Sequence, residues 1–438
     1  MTKMKNHHRT VKYFTAALSA FLVCSQAPAA WAQVSVSTER FRETDPELLF
    51  EQGMEARKIG RVYSSIDAFE EIVKNYPDLH RARLELAVSY YRTFNFDGAL
   101  EQAQFVLDDP DTPPNVRVTI LAFMAQVQAD KEKFVLASDW SFPLSFGYMY
   151  DSNVSAGADS ARFGNLILDD ASTKKSDSAA VFNVGIDHVL KTGKTFRAGE
   201  YTANLLWKSM VNIYHREYVN ETDFNLSVLS FKTGPAVITT GRWRSGLDAQ
   251  VDVISYGGMK LATFSSLTPV YTWHFENGIE VSGECLFSRN NYDQPEDEGR
   301  TSDYISPKIS AGYVTTDNKF IIQGAVSYFN ENAKADHKTN DGNDYFLGGT
   351  WNVLENSSVF TFVRYRDYEY EGIEPFFAEA RDDDEWRYSV GATHTLKDMG
   401  MMTDWFITAL YTRTEYDSNV PIYDYDRDQY MLTLNRRF

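Results

Sequence analysis

Histidine titrates near neutral pH and is the commonest metal ligand, so histidine spacing bears first on any chemistry this chain could perform. His80, His188, His215, His274, His337 and His394 are far apart, and none stands at the spacing of a nucleophile–base pair or a ligand set. His188 and His394 share the parity of apolar neighbours in alternating segments, which predicts a place at a membrane interface. The acidic runs Asp382-Asp383-Asp384-Glu385 and Asp424-Tyr425-Asp426 have the composition to bind calcium or bridge lipopolysaccharide, although solvated loop charge is the simpler expectation. Asp336 to Asp344 loosely follows a calcium loop, but Gly342 misses the turn position that such a loop needs. No catalytic constellation, metal site or cofactor site is expected.

The residues with a recognisable arrangement sit on helices. Asp45-Pro46 reads as an N-cap followed by a first-turn proline, since the carboxylate accepts an end N–H and proline has none to lose. Segments starting at Pro46 and His80 then repeat at an offset of 34, the tetratricopeptide period. Gly53 and Ala87, and Ser65 and Ala99, hold the small-residue positions where paired helices approach; Phe69 and Ala103 fill core positions, and Pro77 ends the first unit. The second unit has Phe94-Asn95 where a turn glycine is usual, and a closing helix follows Thr112-Pro113 to about Asp130. Repeat position points Glu47, Phe50, Met54, Arg57, Lys58, Arg81, Leu84, Val88, Tyr91 and Arg92 into a concave groove that suits a peptide or protein cargo. A spacer is the plainer role for so small a solenoid.

After about Trp140 the period changes from helical to two. Phe182, Val184 and Ile186 alternate with Asn183, Gly185 and Asp187, and Trp386, Tyr388 and Val390 oppose Arg387 and Ser389. Apolar-out, polar-in strands of this length are the pattern of transmembrane barrels. The expected strands are 140–150, 178–190, 195–209, 221–232, 235–248, 262–275, 278–291, 302–315, 318–330, 342–353, 357–370, 384–396, 403–416 and 427–438. Links after even-numbered strands are expected to be short, as at 191–194, 232–234, 276–277, 317–318, 355–356 and 397–398. Links after odd-numbered strands are expected to be long and polar, as at 151–175, 331–341 and 372–383. The fold class is therefore α plus all-β membrane protein: a tetratricopeptide-like α-solenoid over 45–130, then a 14-stranded antiparallel transmembrane β-barrel over 139–438. Such a barrel is too wide for wall side chains alone to fill, so its lumen needs water, a plug or a passenger.

The start of the chain sets the compartment. Lys3, Lys5, Arg9 and Lys12 precede an apolar stretch over 13–24, and Ala30-Trp31-Ala32 supplies small residues at a cleavage site, so residues 1–32 are expected to be a signal peptide. About a dozen apolar residues cannot cross a bilayer as a helix. Phe21-Leu22-Val23 ahead of Cys24 argues against lipoprotein processing and leaves Cys285 without a disulfide partner. Residues 1–32 hold those four cations and no acid, so their loss takes the formal net charge from −18 to −22. So acidic a surface repels phosphate backbones, which excludes a nucleic-acid partner. Aromatic residues make up 14% of the chain and need a large core or a membrane interface. Phe438 closes a final amphipathic strand and is expected to act as an assembly signal for the barrel-assembly machinery.

Two motifs together resemble a known family. Pro77-Asp78-Leu79-His80-Arg81-Ala82-Arg83-Leu84-Glu85-Leu86-Ala87, joined to a barrel opening with Phe146-Gly147-Tyr148-Met149-Tyr150-Asp151-Ser152-Asn153-Val154, is similar to the surface lipoprotein assembly modulators. The resemblance implies an outer-membrane protein with its helical domain in the periplasm and a type XI secretion role. Such a protein moves or displays a cargo lipoprotein, or a secreted haem- or metal-binding protein, at the cell surface, with Tyr150, Asp151, Ser152, Asn153 and Val154 as the segment that opens the barrel. A polysaccharide-export porin and a passive solute channel are the other readings; either would sit in the outer membrane beside lipopolysaccharide.

Overall fold

A computed structural model describes residues 45–134, 138–158, 160–163, 166–169, 172–239, 241–375, 377–397, 400 and 403–438. The expected signal peptide lies outside the described residues. Five helices come first among them: α1 Pro46–Lys58, α2 Val62–Asn75, α3 His80–Arg92, α4 Phe96–Asp108 and α5 Pro114–Phe134. The Asp45 side chain accepts from the Glu47 N–H at 3.0 Å with Pro46 behind it, which is the expected cap.

The 34-residue offset has a packing cause. A Cβ on Gly53 would come within 2.9 Å of the Phe69 ring, so only glycine lets α1 lie against α2 there. Ser65, Ala87, Ala99 and Ala103 are all fully buried at the matching contacts. The first pair turns through Gly60 at φ 84, whereas the second turns through Phe94 at φ 60. A β-carbon in that left-handed region costs roughly 1–2 kcal/mol.

The barrel closes on itself. Its strands are β1 (Ser138–Ser141, resuming as Pro143–Asp151), β2 Asp177–Ala198, β3 Tyr201–Tyr218, β4 Leu226–Thr239, β5 Trp243–Tyr256, β6 Met259–His274 and β7 Ile279–Tyr292. The second half is β8 Ser302–Val314, β9 Phe320–Ala333, β10 Asn340–Leu354, β11 Ser357–Ile373, β12 Ala380–Thr395, β13 Phe406–Ser418 and β14 Tyr425–Arg437. Each pairs antiparallel with its neighbours in sequence, and β14 returns to β1 in the register Tyr430↔Tyr150 and Arg437↔Pro143. Phe142 and Phe438 exchange backbone hydrogen bonds where this seam ends at the C-terminus of β14. Closure leaves no long open edge in the wall, which is what a sheet needs in order to stand in lipid.

The outward side chains form a banded surface. Leu347, Ile322, Val326, Val390 and Leu432 are exposed on the outside. Rings flank that aliphatic belt: Trp140 on His188, Trp405 between Phe146 and Phe438, and Phe320 on Trp351 at one end; Tyr365 on Tyr345 and Trp386, and Tyr430 on Tyr411 and Tyr150 at the other. Aromatic girdles around an apolar belt match a bilayer-spanning barrel. His188 and His394 stand on the outer face near inner strand ends, bonded to Ser138 and Ser357 respectively.

Four expectations about the wall are corrected. Residues 191–194 are not a turn: β2 runs on through a register shift between Lys191 and Thr195, with Gly193 at φ 67, and turns at Gly199-Glu200. Residues 232–234 lie inside β4, where a Cβ on Gly234 would run into the Leu247 carbonyl oxygen. The loop alternation breaks at β5–β6, a two-residue hairpin through Gly257-Gly258, and at β12–β13, where the link spans 396–405. Finally, Asp382 to Glu385 belong to β12 rather than to a loop.

Candidate functional site

The lumen is lined by the inward-facing set of each strand, and several of these side chains join in buried clusters. Asp151, the last residue of β1, is fully buried. Its carboxylate accepts from Arg427 Nε at 2.9 Å, Gln429 Nε2 at 2.9 Å, the Tyr218 hydroxyl at 2.8 Å and the Asn153 N–H at 3.0 Å. These donors come from β14, β3 and the first outer loop, so one carboxylate ties both sides of the closing seam to that loop.

The rest of the opening motif folds the loop inward. Asn153, also fully buried, donates to the carbonyls of Gly157 at 2.8 Å and Asp426 at 3.2 Å. Ser152 pairs with the Asp428 backbone on β14. Val154 packs into an apolar cluster with Met149, Val181, Tyr218 and Phe224. Tyr150 points outward into the aromatic girdle. The structure thus brings Asp151, Ser152, Asn153 and Val154 together as a latch across the seam.

Two more clusters continue this layer around the lumen. Asp344 lies between Arg364, with Nε at 2.8 Å, and Arg366, with Nη2 at 3.0 Å; Arg366 donates to the Tyr368 hydroxyl, which donates to Glu385, which also pairs with Arg387 at 2.5 Å. Nearer the rim, Arg381 sits between the rings of Tyr370 and Tyr423, each 4.0 Å away, and pairs with Asp383 at 2.7 Å. Asp383 is held by the Tyr416 and Ser418 hydroxyls at 2.6 Å each. Above it, burial and the Glu374 carboxylate push the Tyr423 phenol up to about 12, and burial lowers Lys338. Stacking of a guanidinium between two rings is a stabilising cation–π arrangement. Sequence reading missed these groups, although the inward parity of β11, β12 and β14 puts Arg364, Arg366, Arg381, Arg387 and Arg427 on the lumen side.

Beneath that layer lies a cavity of about 630 Å³ between β7 and β12. Tyr304 and Arg366 are its roof, Glu280 and Gly312 its base, and Glu284, Lys308 and Asp344 stand on its walls. Lys308 pairs with Glu284 at 3.0 Å.

The helical region is docked at one mouth of the barrel, the mouth where the chain enters β1. The β2–β3 hairpin reaches beyond the other strands to α2, where Arg197 makes a bidentate pair with Asp67 at 2.7 and 2.9 Å. Glu200 accepts from the Ser64 N–H at 3.1 Å and hydroxyl at 2.8 Å, Tyr63 bonds Thr202 at 3.2 Å, and the Arg197 guanidinium covers the Tyr63 ring.

The groove residues expected from repeat position lie on α1 and α3, away from this contact. Arg57 is buried in the helix pair, salt-bridged to Glu85 and donating to Met54 Sδ at 3.1 Å. Phe50 packs edge-on against Phe69 under Arg81, and Leu84 and Tyr91 pack into clusters with Ala87 and Phe123. Val88 is half-buried, while Lys58, Arg81 and Arg92 are exposed.

A family model described as "Protein of unknown function (DUF2860)" matches residues 286–436, from the middle of β7 through β14. No curated protein matches the chain. Among solved structures, the outer membrane channel DcaP of Acinetobacter baumannii is 12% identical over 70% of this chain and 98% of its own, with a TM-score of 0.40. OpdQ of Pseudomonas aeruginosa is 10% identical over 69% and 98%, with a TM-score of 0.32. OmpT, an outer membrane protein of Vibrio cholerae, is 9% identical over 69% and 98%, with a TM-score of 0.37. None of these descriptions names the surface lipoprotein assembly modulators.

Proposed function

We propose that this chain is an outer-membrane translocator that secretes or displays a cargo protein, a lipoprotein or a haem- or metal-binding protein, at the cell surface. A single architectural observation carries the proposal: a helical module is bolted to one mouth of a barrel whose first long loop is latched across its closing seam. A conduit for a polypeptide needs a receiving surface, which the helical module supplies, and a resting state that does not leak, which a latched loop suits. The apolar belt and its girdles support insertion in the outer membrane, with lipopolysaccharide around the rim. The 34-residue helix pairs support a tetratricopeptide-like periplasmic domain, and the paired terminal strand ending at Phe438 suits assembly by the barrel-assembly machinery. No catalysis or cofactor enters this reading.

A second reading, a porin or polysaccharide-export channel, is favoured by one observation: the charged cavity of about 630 Å³ would hold a polar solute. The test compares proteins released by protease from intact cells with and without the gene, and with residues 45–134 deleted. Loss of a specific exported protein from the surface, while the barrel remains inserted, supports the translocator. An unchanged surface complement with lost solute uptake supports the channel.

A further inference from the structure

We infer that the cleft between the helical region and the β2–β3 hairpin binds an extended, strand-forming peptide by adding it to the hairpin edge. The inference rests on the translocator reading and names where the cargo polypeptide is first held.

The first observation is an open strand edge. β1 reaches no farther along β2 than Ser138↔Leu190, and β2 continues to Ala198 paired with β3 on its other side. Among the described residues nothing pairs with 194–198 on the side away from β3. In an antiparallel ladder every second residue turns its N–H and C=O outward, so 195–198 offer backbone groups to another chain, while the Lys194 N–H is already bonded to the Thr192 hydroxyl at 3.2 Å. An extended peptide added there gains main-chain hydrogen bonds for affinity and pockets for alternate side chains.

The second observation is a cavity beside that edge. A cleft of about 710 Å³ lies between α2, the α3–α4 turn, the end of α5 and residues 193–197. Phe94, Phe134, Tyr63 and Phe196 line it, and Phe196 is 47% exposed. Phe94 stacks on Phe134 at 5.0 Å, and it is the residue that holds φ 60 where the preceding unit has Gly60. A bulky side chain kept in a strained turn, with its ring on a cleft wall, points to a use for that ring.

Charge selects the occupant. Asp67 is matched by Arg197 and Asp97 by Lys131, and Glu70 on the far wall accepts from the Tyr90 hydroxyl, whereas Lys194, beside the strand edge, is exposed and has no ion pair among the described residues. The peptide that fits alternates apolar residues with polar ones and presents a carboxylate near Lys194. Its apolar side chains would meet Phe94 and Phe196 while its backbone pairs with the edge.

The test uses the full chain in detergent micelles. The probe is a short fluorescein-labelled peptide of alternating valine and threonine with one central glutamate, and its binding is read by anisotropy. The matched control carries N-methyl groups on alternate amides, which removes the ladder donors and leaves the side chains unchanged. Binding is expected to fall about tenfold or more in Phe94→Ala with Phe196→Ala, as for other aromatic anchors. It is expected to weaken several-fold in Lys194→Glu and to vanish for the N-methylated peptide. Lys194→Glu alters only an exposed side chain, so it keeps the test decisive should the double variant fold poorly. Equal binding of the N-methylated and parent peptides, or no effect of either variant, overturns the inference. Surface display measured in the same variants separates the two claims. Intact display with lost peptide binding sinks the cleft and spares the translocator; peptide binding as expected in a chain whose deletion leaves the surface complement unchanged does the reverse.

Discussion

Removing the Asp151 carboxylate should be among the most destabilising single changes in the wall. In Asp151→Ala the Arg427 guanidinium, with 18% of its side chain exposed, loses its counter-charge, and Gln429 and Tyr218 lose an acceptor. Breaking a buried pair on one side costs about 3–5 kcal/mol, because the surviving charge stays buried. That is on the order of a hundredfold to a few thousandfold in the folding equilibrium. The double change Asp151→Leu with Arg427→Met removes both charges and should recover most of the loss, since apolar replacement of a buried pair is often near neutral. Urea titration of the barrel in lipid vesicles, followed by tryptophan fluorescence, measures all three proteins. A single variant as stable as the parent, or a double variant no better than the single, would refute the assignment of the latch energy to this pair.

Four further outcomes follow from the geometry. A Cβ on Gly147 would run into the Leu432 carbonyl oxygen across the seam, so Gly147→Val should lower the temperature at which the barrel loses its compact migration on SDS gels. Arg197→Glu should loosen helical docking and Asp67→Arg with Arg197→Glu should restore it, read by disulfide trapping of cysteines placed at Ser64 and Glu200; both partners are half-exposed, so the effect on stability should stay near or below about 1 kcal/mol. The Asp111 N–H and the His80 ring hold the Asp109 carboxyl below its ordinary 3.8. The folded-state value is the depressed one, so this contribution is complete above the ordinary value and is lost as pH falls through the depressed one; helix circular dichroism of Asp109→Asn should lack that acid-side loss. A tag at Glu296 in the β7–β8 loop should be reached by antibody on intact cells, and one at Glu355-Asn356 only after the outer membrane is opened; the opposite pattern would invert the orientation.

The alternating wall and the count of strands were legible because period two and turn chemistry are local properties. Gly193 shows where local chemistry misleads: Lys-Thr-Gly-Lys suits a turn, but a positive φ serves a bulge inside a longer strand equally well. Asp382 to Glu385 looked like loop charge because the hydroxyls that hold Asp383, on Tyr416 and Ser418, come from β13, and because Arg381 and Arg387, two residues from their acids, share a face with them only once the segment is a strand. The 150–154 motif stood out in sequence, yet its partner Arg427 is 276 residues away and only barrel closure brings the two together. The helices and the small residues buried between them were legible in the apolar spacing. Repeat position placed a cargo groove on α1 and α3; that the β2–β3 hairpin docks on α2 is a contact nothing local reveals.

Conductance of the purified chain in a planar lipid bilayer tests the central claim most directly. A translocator that rests closed through the Asp151–Arg427 latch and the Arg381 and Arg366 clusters is predicted to show little steady current, and Asp151→Ala should open brief, large events. A wild-type chain that sits open at constant conductance would contradict a closed resting state and make this barrel a porin.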